Sequence, residues 1–374
     1  MHILVNYTGR TGGYTGGGAD YAYRMTKALI NVGMDVSAII SKYVDNLTEW
    51  QGLPLKNLVL LETYTNKVNF VPKTVLLLIN DKKKIHKILS GNKYDCIYVP
   101  MLTYWSYFIN DMFSNTPVVL TLHDPKVHSG ETWINKFLFM SGNRISLANK
   151  IVILSDEFRT FVKERYKKKD KDVLTIPLTP FEIENSNNEI IEYHYDENKT
   201  NFLFYGRIED YKGLDILSEA YKIVSEKFSE VSLTIAGKGD FSKYASMYGC
   251  LPNVTIINRW IEPAEVRGLF ESGKSIVVLP YKDATQSGII GLAMLNHNLV
   301  IATNTGGIPE QVQHRKTGLL AFPNDALDFA QKMMWAIENE SICDQYINNA
   351  YMQMKLMTWE ASANKLKCFM ENEE

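Results

Sequence analysis

The chain has 374 residues, of which 45% are hydrophobic and 22% charged, and its formal net charge is −2. That composition excludes disordered and fibrous classes, and the charge gives no general reason to bind nucleic acid. The length suits two domains of ordinary size better than one core.

Strand-like and helix-like runs alternate from end to end, which predicts parallel sheets covered by helices. In the first half the predicted strands are His2–Tyr7, Asp35–Ser41, Cys96–Pro100, Val118–His123, Ile151–Leu154 and Val173–Ile176, with helical spacing over Ala19–Val32 and Glu157–Tyr166. The start, Met1 to Tyr7, carries no basic region or cleavage site, and no apolar run is long enough to span a bilayer. Four scattered cysteines, Cys96, Cys250, Cys343 and Cys368, lack metal-ligand spacing and read as reduced thiols. A cytoplasmic protein is the expectation.

After the first strand come Gly12-Gly13-Tyr14-Thr15-Gly16-Gly17-Gly18, then a helix. Glycines there let another molecule approach the main chain, and the helix start offers unpaired amides to an anion. A flexible surface turn is the plainer alternative, since Gly-x-Gly-x-x-Gly spacing is missing. Strand Val118–His123 delivers His123 and Asp124 to its carboxyl end, where they suit either substrate contact or a helix cap.

Glu182–Lys199 lacks apolar period and reads as a linker. Beyond it the predicted strands are Asn201–Tyr205, Val231–Ala236, Val254–Ile257, Ser275–Pro280 and Leu299–Ala302, and the helices Leu214–Phe228, Pro263–Glu271, Ile289–Asn296 and Ala326–Asn339. Within this half, strand Asn201–Tyr205 runs into Gly206, Arg207, Lys212 and Gly213. Two cations at the carboxyl end of a strand make a receptor for a diphosphate. The turn Asp283-Ala284-Thr285-Gln286-Ser287-Gly288 precedes a helix and can cradle phosphate or sugar oxygens. Another turn, Gly306-Gly307-Ile308-Pro309-Glu310, places proline where a helix begins. A last helix covers Thr358–Cys368.

Taken in order, Gly17-Gly18 before a helix, His123, Gly206-Arg207 with Lys212-Gly213, Thr285-Gln286-Ser287-Gly288 and Gly306-Gly307-Ile308-Pro309-Glu310 resemble the pattern of glycosyltransferase family 4. The resemblance spans nearly the whole chain, strongest over Phe202–Gly318 and weakest over 42–94 and the linker. It implies an α/β protein of the GT-B fold, with two Rossmann-like parallel-sheet domains facing a cleft. Residues 1–180 would bind acceptor and 201–355 the nucleotide sugar, joined by linker 181–200, with 356–374 a helix packing back on the first domain.

Activity is implied in the same way: retaining transfer of a sugar, of hexosyltransferase type, from a nucleotide sugar to a saccharide, in cell-surface polysaccharide synthesis. Arg207 and Lys212 would hold the diphosphate, His123 would lie beside the transferring sugar, and Gly17 and Gly18 would close over the phosphates. Asp283, Thr285, Gln286, Ser287 and Gly288 would contact the donor, with Trp260 and Ile261, next to Arg259, near the base. No cofactor and no metal are implied. A pair of glutamates usual in the family is replaced by Ala284 and Leu292, with Asp283 one residue away from the first. That departure keeps two alternatives open, a non-catalytic subunit and a nucleotide-sugar 2-epimerase.

The acceptor half is less determined. Asp81–Lys87 and Lys163–Lys169 are basic clusters, and Trp133–Met140 mixes lysine with aromatics. They suit peripheral contact with an anionic membrane, as a lipid-linked acceptor requires, and equally a solvated lysine face with a core helix. Tyr104-Trp105-Ser106-Tyr107-Phe108 suits sugar stacking or packing.

Overall fold

A computed structural model describes residues 1–9, 16–66, 68–89, 91–126, 142–183, 193, 195–196, 198–271 and 275–371. The loop 12–15 and the segment 133–140 lie outside the described residues, as does much of 182–199. The chain forms two compact units. Met1–Pro125, the chain leading to Pro177 and the chain from Thr358 make the first, and Leu178–Met357 belongs to the second.

The first unit is built on seven parallel strands: β1 (His2–Tyr7), β2 (Asp35–Ser41), β3 (Asn57–Leu61), β4 (Cys96–Val99), β5 (Val118–Leu122), β6 (Lys150–Ile153) and β7 (Val173–Thr175). Their order is β3-β2-β1-β4-β5-β6-β7, with Ile3 paired to Val36 on one side and to Cys96 on the other. The inner strands β1, β4 and β5 are buried on both faces, as a sheet covered by helices requires, while the edge strands β3 and β7 are partly open. Order reverses between β1 and β4, and chains leaving their carboxyl ends diverge there to form a crevice.

The second unit has six parallel strands: β8 (Thr200–Tyr205), β9 (Val231–Ala236), β10 (Val254–Ile257), β11 (Ser275–Leu279), β12 (Leu299–Thr303) and β13 (Leu319–Ala321). Their order, β10-β9-β8-β11-β12-β13, repeats the same plan, and the reversal falls between β8 and β11. Phe202, Phe204, Val277, Val278 and Ile301 are fully buried at its centre.

Within the first unit the last helix, Trp359–Glu371, lies on helix Gly16–Asn31. The Tyr21 and Trp359 rings are 5.6 Å apart and Lys367 Nζ donates to the Val32 carbonyl at 3.3 Å. The stretch 178–183 is counted with the second unit, where Phe181 and Pro180 press on Gly288 and Gly291. Ahead of β4, Phe70–Leu89 is helical throughout, with a π-helical turn at Leu77–Asp81. Trp105 is buried and donates from Nε1 to Thr74 Oγ1 at 3.0 Å, so its indole is packing. All four cysteines are free, and burial pushes the Cys96 thiol up to about 12. Among the described residues no helix is long and apolar enough to cross a membrane.

Candidate functional site

The richest constellation lies at the reversal point of the second sheet. β8 ends at Tyr205, and Gly206 and Arg207 lead into a turn at Asp210–Lys212. Neighbours on both sides tie this loop down. Ile208 N donates to the Lys238 carbonyl at 3.0 Å, and Lys282 N to the Tyr211 carbonyl at 2.8 Å. Gly213 then turns with φ of 71° and opens helix Leu214–Lys227. A Cβ there would lie 1.9 Å from the Pro280 carbonyl oxygen, so only glycine lets the loop reach the end of β11.

That close approach sets Lys212 over an aromatic platform. Its Nζ is 3.8 Å from the centre of the Tyr281 ring and 4.9 Å from that of Tyr211. A cation over a ring face is held by the ring's quadrupole while its outer donors stay open. Arg207 is the more open of the two cations: its side chain is 72% exposed and one nitrogen lies 3.2 Å from Glu209. Lys282 is engaged elsewhere, 2.6 Å from Asp215.

The turn 283–288 stands next to this platform, with Ser287 Oγ 3.4 Å from the Tyr281 hydroxyl. Thr285 and Ser287 are buried, Asp283, Gln286 and Gly288 half-buried. Helix Gly288–Leu295 is apolar and mostly buried, and the Ser287 side chain makes no capping bond, so the amides of Gly288 and Ile289 have no side-chain cap, while Ile290 N donates to the Ser287 carbonyl at 3.3 Å. The turn is clipped in place by Gln311. Ser287 N donates to Gln311 Oε1 at 2.8 Å, and Gln311 Nε2 donates to the Ser287 carbonyl at 3.0 Å. Gln311 ends the short helix Ile308–Gln311 that follows Gly306-Gly307, so the two turns behave as one piece. Ala284 and Leu292 are both buried among core residues.

Further along, Arg259 and Glu265 form a bidentate pair with N–O distances of 2.7 and 2.5 Å, and Glu262 N and Tyr193 Oη also donate to Glu265. The Arg259 guanidinium, aided by the other two donors, holds the Glu265 carboxyl down at about 2. This clamp fixes the turn that carries Trp260, half-buried, and Ile261, whose side chain belongs to the core.

The first unit gathers its own residues at the reversal between β1 and β4. Gly18 approaches Met101, the second residue after β4, so closely that a Cβ would lie 1.9 Å from its sulfur; Gly17 is exposed beside it. His123, one residue past β5, donates from Nε2 to the Pro100 carbonyl at 2.9 Å and meets the Tyr21 ring edge-on at 4.7 Å. Loss of hydration lowers its pKa, so the ring is neutral and Nδ1 remains an acceptor.

The loops therefore collect Arg207, Lys212, Thr285, Gln286, Ser287 and Gly288 around the ends of β8 and β11, and Gly17, Gly18 and His123 around those of β1, β4 and β5. Trp260 and Ile261 stand apart at the end of the edge strand β10. Sequence reasoning passed over Tyr281, Gln311 and Glu265. Tyr281 closes a predicted strand and Gln311 directly follows Gly-Gly-Ile-Pro-Glu, yet neither type is distinctive in sequence; only contact reveals their use.

Known proteins resemble this chain in sequence and in fold. A model described as "Glycosyltransferase Family 4" matches residues 15–178, and one described as "Glycosyl transferases group 1" matches residues 186–353. The "Uncharacterized glycosyltransferase MJ1178" of Methanocaldococcus jannaschii is 28% identical over 188 residues, 49% of each chain. "Sulfoquinovosyl transferase SQD2" of Arabidopsis thaliana is 24% identical over 43% of this chain and 31% of its own. The chain thus spans half or less of the curated relatives it matches.

Among solved structures, Anabaena Alr3699/HepE in complex with UDP and glucose has a TM-score of 0.71 at 16% identity, covering 100% of both chains. Sucrose-phosphate synthase from Thermosynechococcus elongatus reaches 0.74 at 16% identity, covering 100% of this chain and 99% of its own. Those likenesses give the GT-B fold. With both halves of the chain matched by the family's models and the fold in agreement, the protein belongs to glycosyltransferase family 4.

Proposed function

We propose that this protein is a retaining glycosyltransferase that moves a hexosyl unit from a nucleoside-diphosphate sugar to a glycan or lipid-linked saccharide, without a metal, in the cytoplasm and in cell-surface polysaccharide synthesis. One observation carries the reading. At the reversal point of the second sheet, Lys212 is pre-placed on Tyr281 next to the turn that opens helix Gly288–Leu295, whose start has no side-chain cap, with Arg207 on the same loop. Such a site is built for a diphosphate, and HepE, a structural neighbour, is known in complex with UDP-glucose.

Transfer requires the sugar–phosphate bond to stretch, leaving negative charge on the diphosphate and oxocarbenium character on the sugar. Arg207 and Lys212 stabilise that charge as it grows, so they favour the transition state over the bound donor. In this reading Thr285, Gln286, Ser287 and Gly288 line the donor, with Asp283 toward the sugar hydroxyls. Trp260 and Ile261 approach the base through a turn held by the Arg259–Glu265 clamp. His123, neutral, accepts a hydroxyl of the transferring sugar at Nδ1, and Gly17 and Gly18 offer the start of their helix to phosphate. On a front-face route a donor phosphate oxygen takes the acceptor proton, and the anomeric configuration is kept.

Hydrolysis of a panel of nucleoside-diphosphate sugars, followed by NMR of the released sugar, tests this. Slow release of one sugar with retained configuration is expected. A 2-epimer would instead mark an epimerase, and silence from every donor without nucleotide binding would mark a non-catalytic subunit.

A further inference from the structure

The helical segment Phe70–Leu89 has an ordinary inner side and an unusual outer one. Inward, Leu77, Ile85 and Leu89 are fully buried in the first unit's core. Outward, Val71, Val75, Leu76, Leu78 and Ile79 are 66%, 49%, 45%, 44% and 58% exposed, and Val68, just ahead, is 89% exposed. Single apolar residues at a surface need no explanation, but six on one segment form a patch, where a helix beside a core normally turns polar groups to water.

Basic residues continue from it: Lys82, Lys83, Lys84 and Lys87 are all exposed on the last turns. Glu62, a nearby carboxylate, is already bridged by Lys42 and Lys73. The chemistry of the patch discriminates between partners. Protein-binding hot spots favour tryptophan, tyrosine and arginine, and interfaces are depleted in lysine. Aliphatic side chains beside a lysine cluster match the boundary between headgroups and acyl chains of an anionic bilayer.

We propose that the outer face of Phe70–Leu89 docks the first unit on an anionic lipid surface, Val71, Val75 and Ile79 entering the headgroup–acyl boundary while Lys82 and Lys83 meet lipid phosphates. The inference does not depend on the transfer chemistry. It is tested by sedimenting the full chain with vesicles of phosphatidylcholine, with and without phosphatidylglycerol. Binding is expected to the phosphatidylglycerol vesicles and to weaken with salt. Lys82→Glu with Lys83→Glu, and separately Val75→Ser with Ile79→Ser, should each lower the partition coefficient at least about tenfold. Thermal midpoint and donor hydrolysis in solution should stay at the wild-type level in both variants. Absence of vesicle binding, or equal binding by wild type and both variants, would overturn the proposal. So would a concentration-dependent dimer, abolished by either pair of substitutions, in protein that ignores vesicles. Vesicle binding of the expected kind without any donor hydrolysis would sink the transfer reading and leave this one standing.

Discussion

The Lys212 ammonium stands 3.8 Å from the centre of the Tyr281 ring, and the glycine that follows it leaves no room for a side chain against Pro280. A lysine free in solution samples many rotamers, and ordering one on binding costs free energy. Held on a ring face, Lys212 has already lost part of that freedom, and in the proposed reading this is the preorganisation that would make its electrostatic stabilisation of the diphosphate effective.

Lys212→Ala and Arg207→Ala are therefore each expected to cut turnover about a hundredfold or more. Neither change should move the thermal midpoint much, since Arg207 is exposed and both lie at the rim of the core. Steady-state kinetics on the donor identified above reads this directly. Rates within threefold of wild type would remove the pair from the reaction.

The loop that carries Lys212 depends on Gly213, and a comparison with Gly33 separates two kinds of strain. Both have positive φ, 71° and 85°, but nothing lies within 4 Å of a Cβ built on Gly33, whereas at Gly213 the Pro280 oxygen lies 1.9 Å away. Gly33→Ala should cost about 1–2 kcal/mol, the price of the left-handed backbone alone. Gly213→Ala adds a clash with backbone that cannot step aside, so its midpoint should fall further and activity should go with it. Equal shifts in differential scanning calorimetry would show that the loop can relax away from β11.

Gln311 is expected to matter without touching donor. Replacing it with leucine leaves the Ser287 N–H without its partner and the Ser287 carbonyl with the Ile290 amide alone, and the turn 283–288 loses its clip to the helix that follows Gly307. Losing both hydrogen bonds typically costs a few kcal/mol in a buried setting, part of it as loosened geometry. The donor KM of Gln311→Leu should rise about tenfold or more, because a mobile turn binds phosphate less well. Gln311→Glu keeps one acceptor for Ser287 N and should fall between. A KM unchanged in both variants would show that the turn needs no support from this residue.

Much of this arrangement was legible in sequence because it rests on local signals. The strand-to-loop exits at Tyr205 and Leu279 were predicted within a residue of where they occur, since apolar runs followed by glycine or proline leave little freedom. Two edge strands were not. β3, Asn57–Leu61, is a short apolar run whose period does not distinguish strand from helix, and β13 has only three residues. Helix Phe70–Leu89 escaped as well: a π-helical turn interrupts its period, and apolar residues occur on both its sides. At the site, charged and glycine positions announced themselves, whereas Tyr281 and Gln311 act through contacts between segments distant in the chain. The Arg259–Glu265 pair went unread for a related reason, since two opposite charges six residues apart do not by themselves announce a bidentate clamp.

Turnover is expected to survive a chelator. Where a transferase uses a divalent ion, the metal neutralises the leaving diphosphate. In the proposed reading Lys212, Arg207 and the side-chain-uncapped start of helix Gly288–Leu295 would supply positive potential to that same group, so an ion would not be needed to balance it. Assays in excess EDTA should match untreated enzyme, and added magnesium should change the rate less than twofold. Inactivation by EDTA with recovery on magnesium would contradict the metal-free reading.

Acid sensitivity should trace in part to the clamp beneath Trp260. The Glu265 carboxyl is lowered from its usual 4.5 to about 2, chiefly by Arg259 and then by the Glu262 amide and the Tyr193 hydroxyl. In the unfolded chain the same group takes up a proton near 4.5 while the folded protein still holds it ionised. Stability from this pair is therefore complete above pH 4.5 and is lost as pH falls toward about 2. Glu265→Gln retains the shape but not the charge, so its thermal midpoint should lie below wild type at pH 7. The two curves should converge as pH drops below 4.5. Because the Arg259 side chain is 54% exposed, salt should narrow the gap at pH 7. Curves that run parallel from neutral to acid pH would show that the ion pair contributes nothing specific, and that Glu265 holds its turn through neutral hydrogen bonds alone.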